Sequence, residues 1–202
     1  MKRSHLFFFG SIALFAIVFA VGVMVQPKNS PLNGSLIQPA SSADDFQLTD
    51  QNGNAYRLSA QQGKLVLLFF GYTHCPDVCP MTLAQFRNIK ASLKEQAKNV
   101  EFVFVTVDPA QDSLSRMKEY VDAFDPQFIG LTGTQSELEK VWKDYGVYQE
   151  KKADGASNNS VDHSARIYLI DRQGKLLLTY PSGFETDQIV QDIRSLLVSS
   201  RS

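Results

Sequence analysis

One short stretch constrains the fold of this chain more than any other. It combines an apolar run, a turn that holds both cysteines, and a helical pattern. The apolar run covers residues 65–70, and a continuous run of this length predicts a β-strand buried on both faces. The apolar positions after the turn are spaced by three and four residues, which predicts a helix with one buried face. These positions are Leu83, Phe86, Ile89 and Leu93.

The turn between strand and helix carries Cys75 and Cys79, within residues 71–80, whose sequence is GYTHCPDVCP. Ligands of open α/β sheets bind at the carboxyl ends of the strands, so we expect a site in this turn. Unpaired backbone N–H groups and the positive end of the helix dipole lower the pKa of a cysteine there. Two thiolates four residues apart suit either a thiophilic metal ion or a reversible dithiol–disulfide pair.

A structural disulfide between Cys75 and Cys79 is the main alternative, since exported proteins often carry one. Closing so short a loop would stabilise the fold by about 2 kcal/mol, less than the roughly 3 kcal/mol of a fifteen-residue loop. Helical positions four residues apart also hold their Cβ atoms about 5–6 Å apart, wider than the ~3.8 Å of a typical disulfide. We therefore favour a reactive or metal-binding pair.

The remaining pattern predicts a thioredoxin-like α/β fold. A hairpin is expected around Asn52-Gly53, and a second buried strand over residues 101–107. Residues 128–131 fit a short strand or a loop, and Thr134 to Glu137 form a capping box that opens a helix. The other expected elements are a helix burying Leu114, Met117, Val121 and Phe124, strands over 166–170 and 175–180, and a last helix burying Ile189, Val190, Ile193, Leu196 and Leu197. This order predicts a central mixed sheet with helices on both faces.

The N-terminus predicts a single transmembrane helix. Residues 6–25 hold no charged side chain. This uncharged run is long enough to cross a membrane and longer than a typical signal-peptide core. Lys2 and Arg3 precede the run and favour a cytoplasmic N-terminus, so the domain would face the periplasm or the cell exterior. A signal peptide cleaved near Ala20-Val21-Gly22 is the rival interpretation.

Composition then divides the chain into three parts. We expect a cytoplasmic start and membrane anchor over residues 1–25, a flexible linker over 26–43 that is rich in Pro, Ser, Asn and Gly, and the folded domain over 44–202. Residues 149–160 are polar and predict an exposed loop. The formal net charge of −1 gives no indication of a nucleic-acid partner.

His163 is the third candidate site residue. It lies in Asp162-His163-Ser164, just before a predicted strand, and in a thioredoxin-like topology the start of that strand lies beside the cysteine turn. A neutral imidazole there would complete a Cys₂His set, which favours Cu(I). The alternatives are a loop histidine satisfied by solvent, His74 in its place, or a zinc site with Asp77 or Asp162 as fourth ligand.

Several motifs together resemble the Sco/SenC family of membrane-anchored copper proteins for assembly of cytochrome c oxidase. They are the 71–80 segment, Val107-Asp108-Pro109, Leu131-Thr132-Gly133-Thr134, and Asp162-His163-Ser164 before Tyr168-Leu169-Ile170-Asp171. The similarity runs from about residue 45 to residue 197. It implies that Cys75, Cys79 and His163 are the copper ligands, for Cu(I) and in some states Cu(II).

The resemblance implies a copper chaperone in a bacterial inner membrane. Its recipient would be the dinuclear copper centre of cytochrome c oxidase subunit II, and the sequence does not indicate the copper donor. The alternative is a thiol–disulfide oxidoreductase that uses Cys75 and Cys79 on the cysteines of that subunit or of another exported protein. The usual redox motif is C-x-x-C, so the three-residue spacing counts mildly against it. A peroxidase with one reactive and one resolving cysteine is a third class.

Overall fold

The structure, a computed structural model, describes residues 32–147 and 165–199. Its centre is one mixed sheet of eight strands, in the order β1-β8-β7-β4-β5-β6-β2-β3. The strands are β1 (Ser35–Ser42), β2 (Gln47–Asp50), β3 (Ala55–Arg57), β4 (Leu65–Gly71), β5 (Val100–Thr106), β6 (Ile129–Thr132), β7 (Arg166–Ile170) and β8 (Lys175–Pro181). The helices are α1 (Val78–Leu93), α2 (Leu114–Asp122), α3 (Gln135–Asp144) and α4 (Thr186–Ser199), with 3₁₀ turns at Leu58–Gln61 and Lys94–Asn99.

Strand β4 is the middle of the sheet and is buried along its whole length. It pairs in parallel with β5 and antiparallel with β7. Its side chains alternate between two apolar layers, with Phe69 in one and Phe70 in the other. Helices α1, α2 and α4 cover the first face and α3 covers the second. The predicted thioredoxin-like α/β fold is therefore confirmed for the described residues.

Most local elements agree with the sequence patterns that predicted them. Helix α2 is the exception, because it buries Met117 and Val121 but leaves Leu114 40% exposed. Helix α1 buries its predicted apolar positions, and the capping box at Thr134 and Glu137 opens α3. The predicted hairpin forms with Leu48 opposite Tyr56, and its turn uses Gly53 at φ +85°, a conformation that glycine adopts without strain. Residues 128–131, left open between strand and loop, contain most of β6.

The start of the fold differs from the prediction. Strand β1 lies in the segment assigned to a flexible linker, yet it pairs with β8 as an edge strand. Just before it, the buried Asp192 carboxylate accepts hydrogen bonds from the backbone N–H groups of Asn33 and Gly34 and from the hydroxyl of Tyr180. The compact unit that contains the sheet begins at Leu32 rather than at Asp44. Backbone pairing and one distant carboxylate hold this segment, and neither produces a hydrophobic pattern.

Three predictions fall outside the described residues: the membrane helix over 6–25, the exposed loop over 149–160, and His163 as a ligand. In the part of the chain that the structure describes, no helix has both the length and the apolar character needed to cross a membrane.

Candidate functional site

The two cysteines lie where the strand–turn–helix pattern predicts them. Cys79 is in the first turn of α1 and only 4% exposed, whereas Cys75 is half-buried in the preceding turn. Both thiols are free. The backbone N–H of Cys79 points at the sulfur of Cys75, with 3.4 Å between the nitrogen and Sγ. The Cys75 sulfur therefore sits over the N-terminus of α1 and satisfies one of its unpaired N–H groups.

This position makes Cys75 the more acidic of the two thiols. Burial by itself would raise the pKa of Cys75. The backbone N–H groups of Asp77 and Cys79 outweigh burial, together with the thiol of Cys79 and the hydroxyl of Tyr72, and the pKa of Cys75 falls below its ordinary value. Hydrogen bonds to the charged form stabilise a thiolate there.

Cys79 behaves in the opposite way. Burial raises the pKa of its thiol well above the ordinary value, and its hydrogen bond to the Cys75 sulfur raises it further. The pair is therefore asymmetric: the half-buried outer thiol of Cys75 ionises more readily, while the buried inner thiol of Cys79 holds its proton more tightly. Two such sulfurs suit a soft cation, which would displace that proton, or thiol–disulfide exchange.

Gly71 makes room for the inner sulfur. It is the last residue of β4, and a Cβ placed there would lie 2.7 Å from Cys79 Sγ and 2.8 Å from a carbon of the Phe104 ring. Neither neighbour is free to move away, because both are buried in the same apolar layer. Any larger residue at position 71 would therefore push the Cys79 sulfur out of place.

A buried carboxylate fixes the turn that precedes the cysteines, and sequence reasoning missed it. Asp112 is 0% exposed and accepts hydrogen bonds from the backbone N–H and the hydroxyl of Thr73, the latter at 2.6 Å. It also accepts one from the hydroxyl of Thr106, at the end of β5. The Arg116 guanidinium donates to the Thr73 hydroxyl at 3.2 Å. Asp112 thus joins the β5–α2 loop to the cysteine turn.

His74, the competing histidine, contacts other residues at the rim of the site. Its Nε2 lies 3.5 Å from Oδ2 of Asp108, and its ring centroid lies 4.6 Å from that of Tyr72. Tyr72 in turn is hydrogen-bonded to the Cys75 sulfur, and burial followed by the nearby Cys75 charge raises its pKa to about 12. Tyr72, His74 and Asp108 form one wall beside the outer thiol.

The described residues hold two of the three predicted metal ligands. Within the described part of the chain, no group of three or more His, Cys, Asp or Glu side chains lies close enough together to hold a metal ion. The third ligand, His163, lies outside the described residues. Its assignment stays a prediction.

The fold and the site together define a thioredoxin-like domain with an asymmetric cysteine pair at a helix N-terminus. The SCO1/SenC family model matches residues 35–198, and the chain belongs to that family. An SCO2-like protein of Rickettsia conorii is 38% identical over 135 residues, which make up 66% of each of the two chains.

Solved structures extend the similarity to the whole fold. The copper-bound ScoI of Bradyrhizobium japonicum shares 37% identity and a TM-score of 0.70, covering 77% of this chain and 99% of that one. BsSco, described as a member of the Sco family of cytochrome c oxidase assembly proteins with a disulfide switch, shares 27% identity and a TM-score of 0.64, covering 80% and 97%.

Proposed function

We propose that this chain is a membrane-anchored copper chaperone that delivers copper to the dinuclear copper centre of cytochrome c oxidase subunit II. The observation that carries the proposal is the asymmetric cysteine pair, in a family whose members have been solved with copper bound. The pKa of the Cys75 thiol is lowered by the hydrogen bonds around it, and the Cys79 thiol is shielded from solvent. Thiolates suit Cu(I), zinc and iron–sulfur clusters, and the copper-bound relative supports copper among these.

In this proposal Cys75, Cys79 and the imidazole of His163 hold the copper ion. Binding would expel the proton that Cys79 keeps in the metal-free site, because only the thiolate binds the metal. Cys75 is half-buried, so a ligand of the recipient protein can approach the copper ion from the side of Cys75. The recipient can then replace the bonds between copper and this chain one at a time. The three-ligand set leaves such an approach open, whereas a closed four-ligand structural site would not.

Substitution of His163 tests the ligand set. We expect the full chain, reduced, to bind one Cu(I), and His163→Ala to weaken that binding by more than the ~10–100-fold typical of groups behind the ligands. Oxidase assembly in cells should fall with it, while the cysteine pair still forms and breaks its disulfide. The matched control is His74→Ala, which removes the histidine that the structure describes at the rim of the site. Wild-type copper binding and assembly in His163→Ala, with loss of assembly in Cys75→Ser, would refute the copper role of His163.

The second candidate function is a thiol–disulfide oxidoreductase, which the asymmetry of the two thiols favours. The Cys75 thiolate would attack a disulfide of the partner, forming a mixed disulfide and releasing one partner thiolate. Cys79, after losing its proton, would then attack the Cys75 sulfur and release the second partner thiolate. The partner disulfide gains two electrons and this pair loses them. This activity needs no histidine, so His163→Ala would leave it intact.

We also propose that residues 6–25 anchor the chain in the bacterial inner membrane, with the domain on the periplasmic or outer side. The uncharged run and the preceding Lys2 and Arg3 support this. An anchored chain stays with membranes through a carbonate wash, and protease added to spheroplasts digests its domain. A mature chain that starts near Val23 in the soluble periplasmic fraction would show cleavage instead.

A further inference from the structure

A groove lined by cationic side chains lies at the end of the sheet opposite the cysteines. It has a volume of about 530 Å³, within the range of small-ligand sites. The C-terminal half of α1, the 3₁₀ turn after it and the starts of β4 and β5 form its walls. Lys64 precedes β4 at this end, whereas Cys75 follows β4 at the other. We call it the basic groove; the proposed copper site does not use it.

The basic groove has an excess of positive charge although the whole chain has a net charge of −1. Its cations are Lys64, Arg87, Lys90, Lys94 and Lys98, against the carboxylates Glu95, Glu101 and Asp125. Two pairs are already neutralised, because Lys64 binds Glu101 at 2.7 Å and Lys90 binds Asp125. Arg87, Lys94 and Lys98 form no ion pair within the described residues, and all three are exposed. Glu95 is the one lining carboxylate outside those two pairs, so three cations against one carboxylate leave an excess of positive charge for a bound anion.

The backbone at Lys94 gives a second, independent observation. Lys94 follows the last residue of α1 with φ +53°, and it is the only non-glycine residue at positive φ in the described ranges. Glycine is the usual residue at such a helix end because it lacks the Cβ that makes this conformation strained. A lysine here keeps the strain and places an ammonium group at the rim of the groove. Strained residues of this kind cluster at functional sites.

The floor of the basic groove is apolar. Val100 and Phe102 of β5 are nearly buried, and Ile129 of β6 completes this surface. An apolar floor lowers the local dielectric, which strengthens the attraction between a bound anion and the cations around it. Lysine ammonium groups bind phosphate as point charges, and the Arg87 guanidinium can add two parallel hydrogen bonds.

We propose that the basic groove binds a phosphate-bearing anion, held chiefly by Lys94 and Lys98 with Arg87. The phosphate would come from a small phosphorylated solute or from a phospholipid headgroup. Glycine would relieve the strain at this helix end, so in this proposal the lysine at position 94 contributes its charge at a cost in stability.

The first test measures binding of inorganic pyrophosphate to the full chain by calorimetry, without copper. We expect saturable binding that weakens as salt rises, and at least a tenfold loss in the double variant Lys94→Gln with Lys98→Gln. Lys143→Gln is the control, because Lys143 is also exposed and unpaired among the described residues but lies on α3, across the sheet. No binding by the wild type, or an equal loss in Lys143→Gln, would overturn the proposal.

The second test uses the strain at position 94. Lys94→Gly should raise the melting temperature while weakening pyrophosphate binding, whereas Lys94→Gln should weaken binding without the gain in stability. Copper binding should be unchanged in both variants, which separates this site from the proposed copper site. Undiminished pyrophosphate binding in Lys94→Gly would refute the role of Lys94.

The source of the phosphate is decided by competition. Vesicles of phosphatidylglycerol that displace pyrophosphate, where phosphatidylcholine vesicles do not, would assign the groove to an anionic headgroup. Failure of both kinds of vesicle to displace pyrophosphate would assign it to a soluble phosphate.

Discussion

Removal of the buried carboxylate Asp112 should weaken both the fold and the cysteine site. In Asp112→Ala, the backbone N–H of Thr73 and the hydroxyls of Thr73 and Thr106 lose their acceptor. A buried donor without a partner costs about 1–3 kcal/mol. Hydroxyls can rotate toward other acceptors but the backbone N–H cannot, so we expect a total loss of about 2–4 kcal/mol in the free energy of unfolding.

Asp112→Asn separates the shape of the side chain from its charge. The amide oxygen can still accept from the Thr73 N–H, and the new NH₂ group meets the hydroxyl of Thr106, which must turn to accept. We expect a loss of about 1–2 kcal/mol. Because Thr73 directly precedes the His74-Cys75 step, both variants should also weaken Cu(I) binding, by roughly the 10–100-fold seen for groups behind metal ligands.

Urea unfolding measures the first effect, and competition with a Cu(I) chelator measures the second. Glu139→Ala is the control: its carboxylate accepts from Gln135 on the exposed surface of α3, and its loss should stay within about 0.5 kcal/mol. Unfolding of Asp112→Ala at the same urea concentration as Glu139→Ala would refute the stabilising role of the Asp112 carboxylate. Unchanged copper binding in an Asp112→Ala protein that is clearly destabilised would refute its role in positioning the cysteine turn.

Two further predictions concern the cysteines and the strand before them. Gly71→Ala should destabilise the fold by about 1–3 kcal/mol, because the added methyl overlaps Cys79 Sγ and the Phe104 ring; urea unfolding measures this, and wild-type stability would contradict it. Cys75 should react with iodoacetamide at a pH below that needed for an ordinary thiol, since its pKa is lowered, while Cys79 reacts slowly at all pH values that keep the fold. Mass spectrometry of the modified peptide distinguishes the two sulfurs, and faster labelling of Cys79 would invert the assigned roles.

Periodic burial made the centre of this fold predictable. β4 and α1 each place apolar side chains at the spacing of their own geometry, so the strand, the helix and the cysteine turn between them followed from local sequence. β1 has no such pattern, because an edge strand of serines and Pro39 is held by its backbone. Its membership of the sheet depends on β8, more than a hundred residues later.

The site was predictable only in part, for a related reason. Cysteines are rare and chemically distinctive, so a pair at a strand end stands out. Asp112 is an ordinary residue whose partner Thr73 lies 39 positions away, and only the packing of β4 beside β5 brings them together. The sequence feature that comes closest to indicating Asp112 is its position four residues after Asp108, in the loop that follows a buried strand. Tyr72 was not predicted as a site residue, although its hydroxyl hydrogen-bonds to the Cys75 sulfur.

The two edges of the sheet have a consequence for how partners bind. β1 is interrupted: the six positions from Leu36 to Ser41 lie opposite the three positions from Leu178 to Leu176 of β8. Pro39, in this bulge, has no N–H to donate. The opposite edge, β3, has three residues. Neither edge offers a straight row of unpaired backbone groups onto which another chain could add a strand. Within the described sheet, both features disfavour edge-to-edge aggregation and recognition of a partner by strand addition. A recipient of copper, as proposed above, would then have to bind through side chains around the cysteine turn.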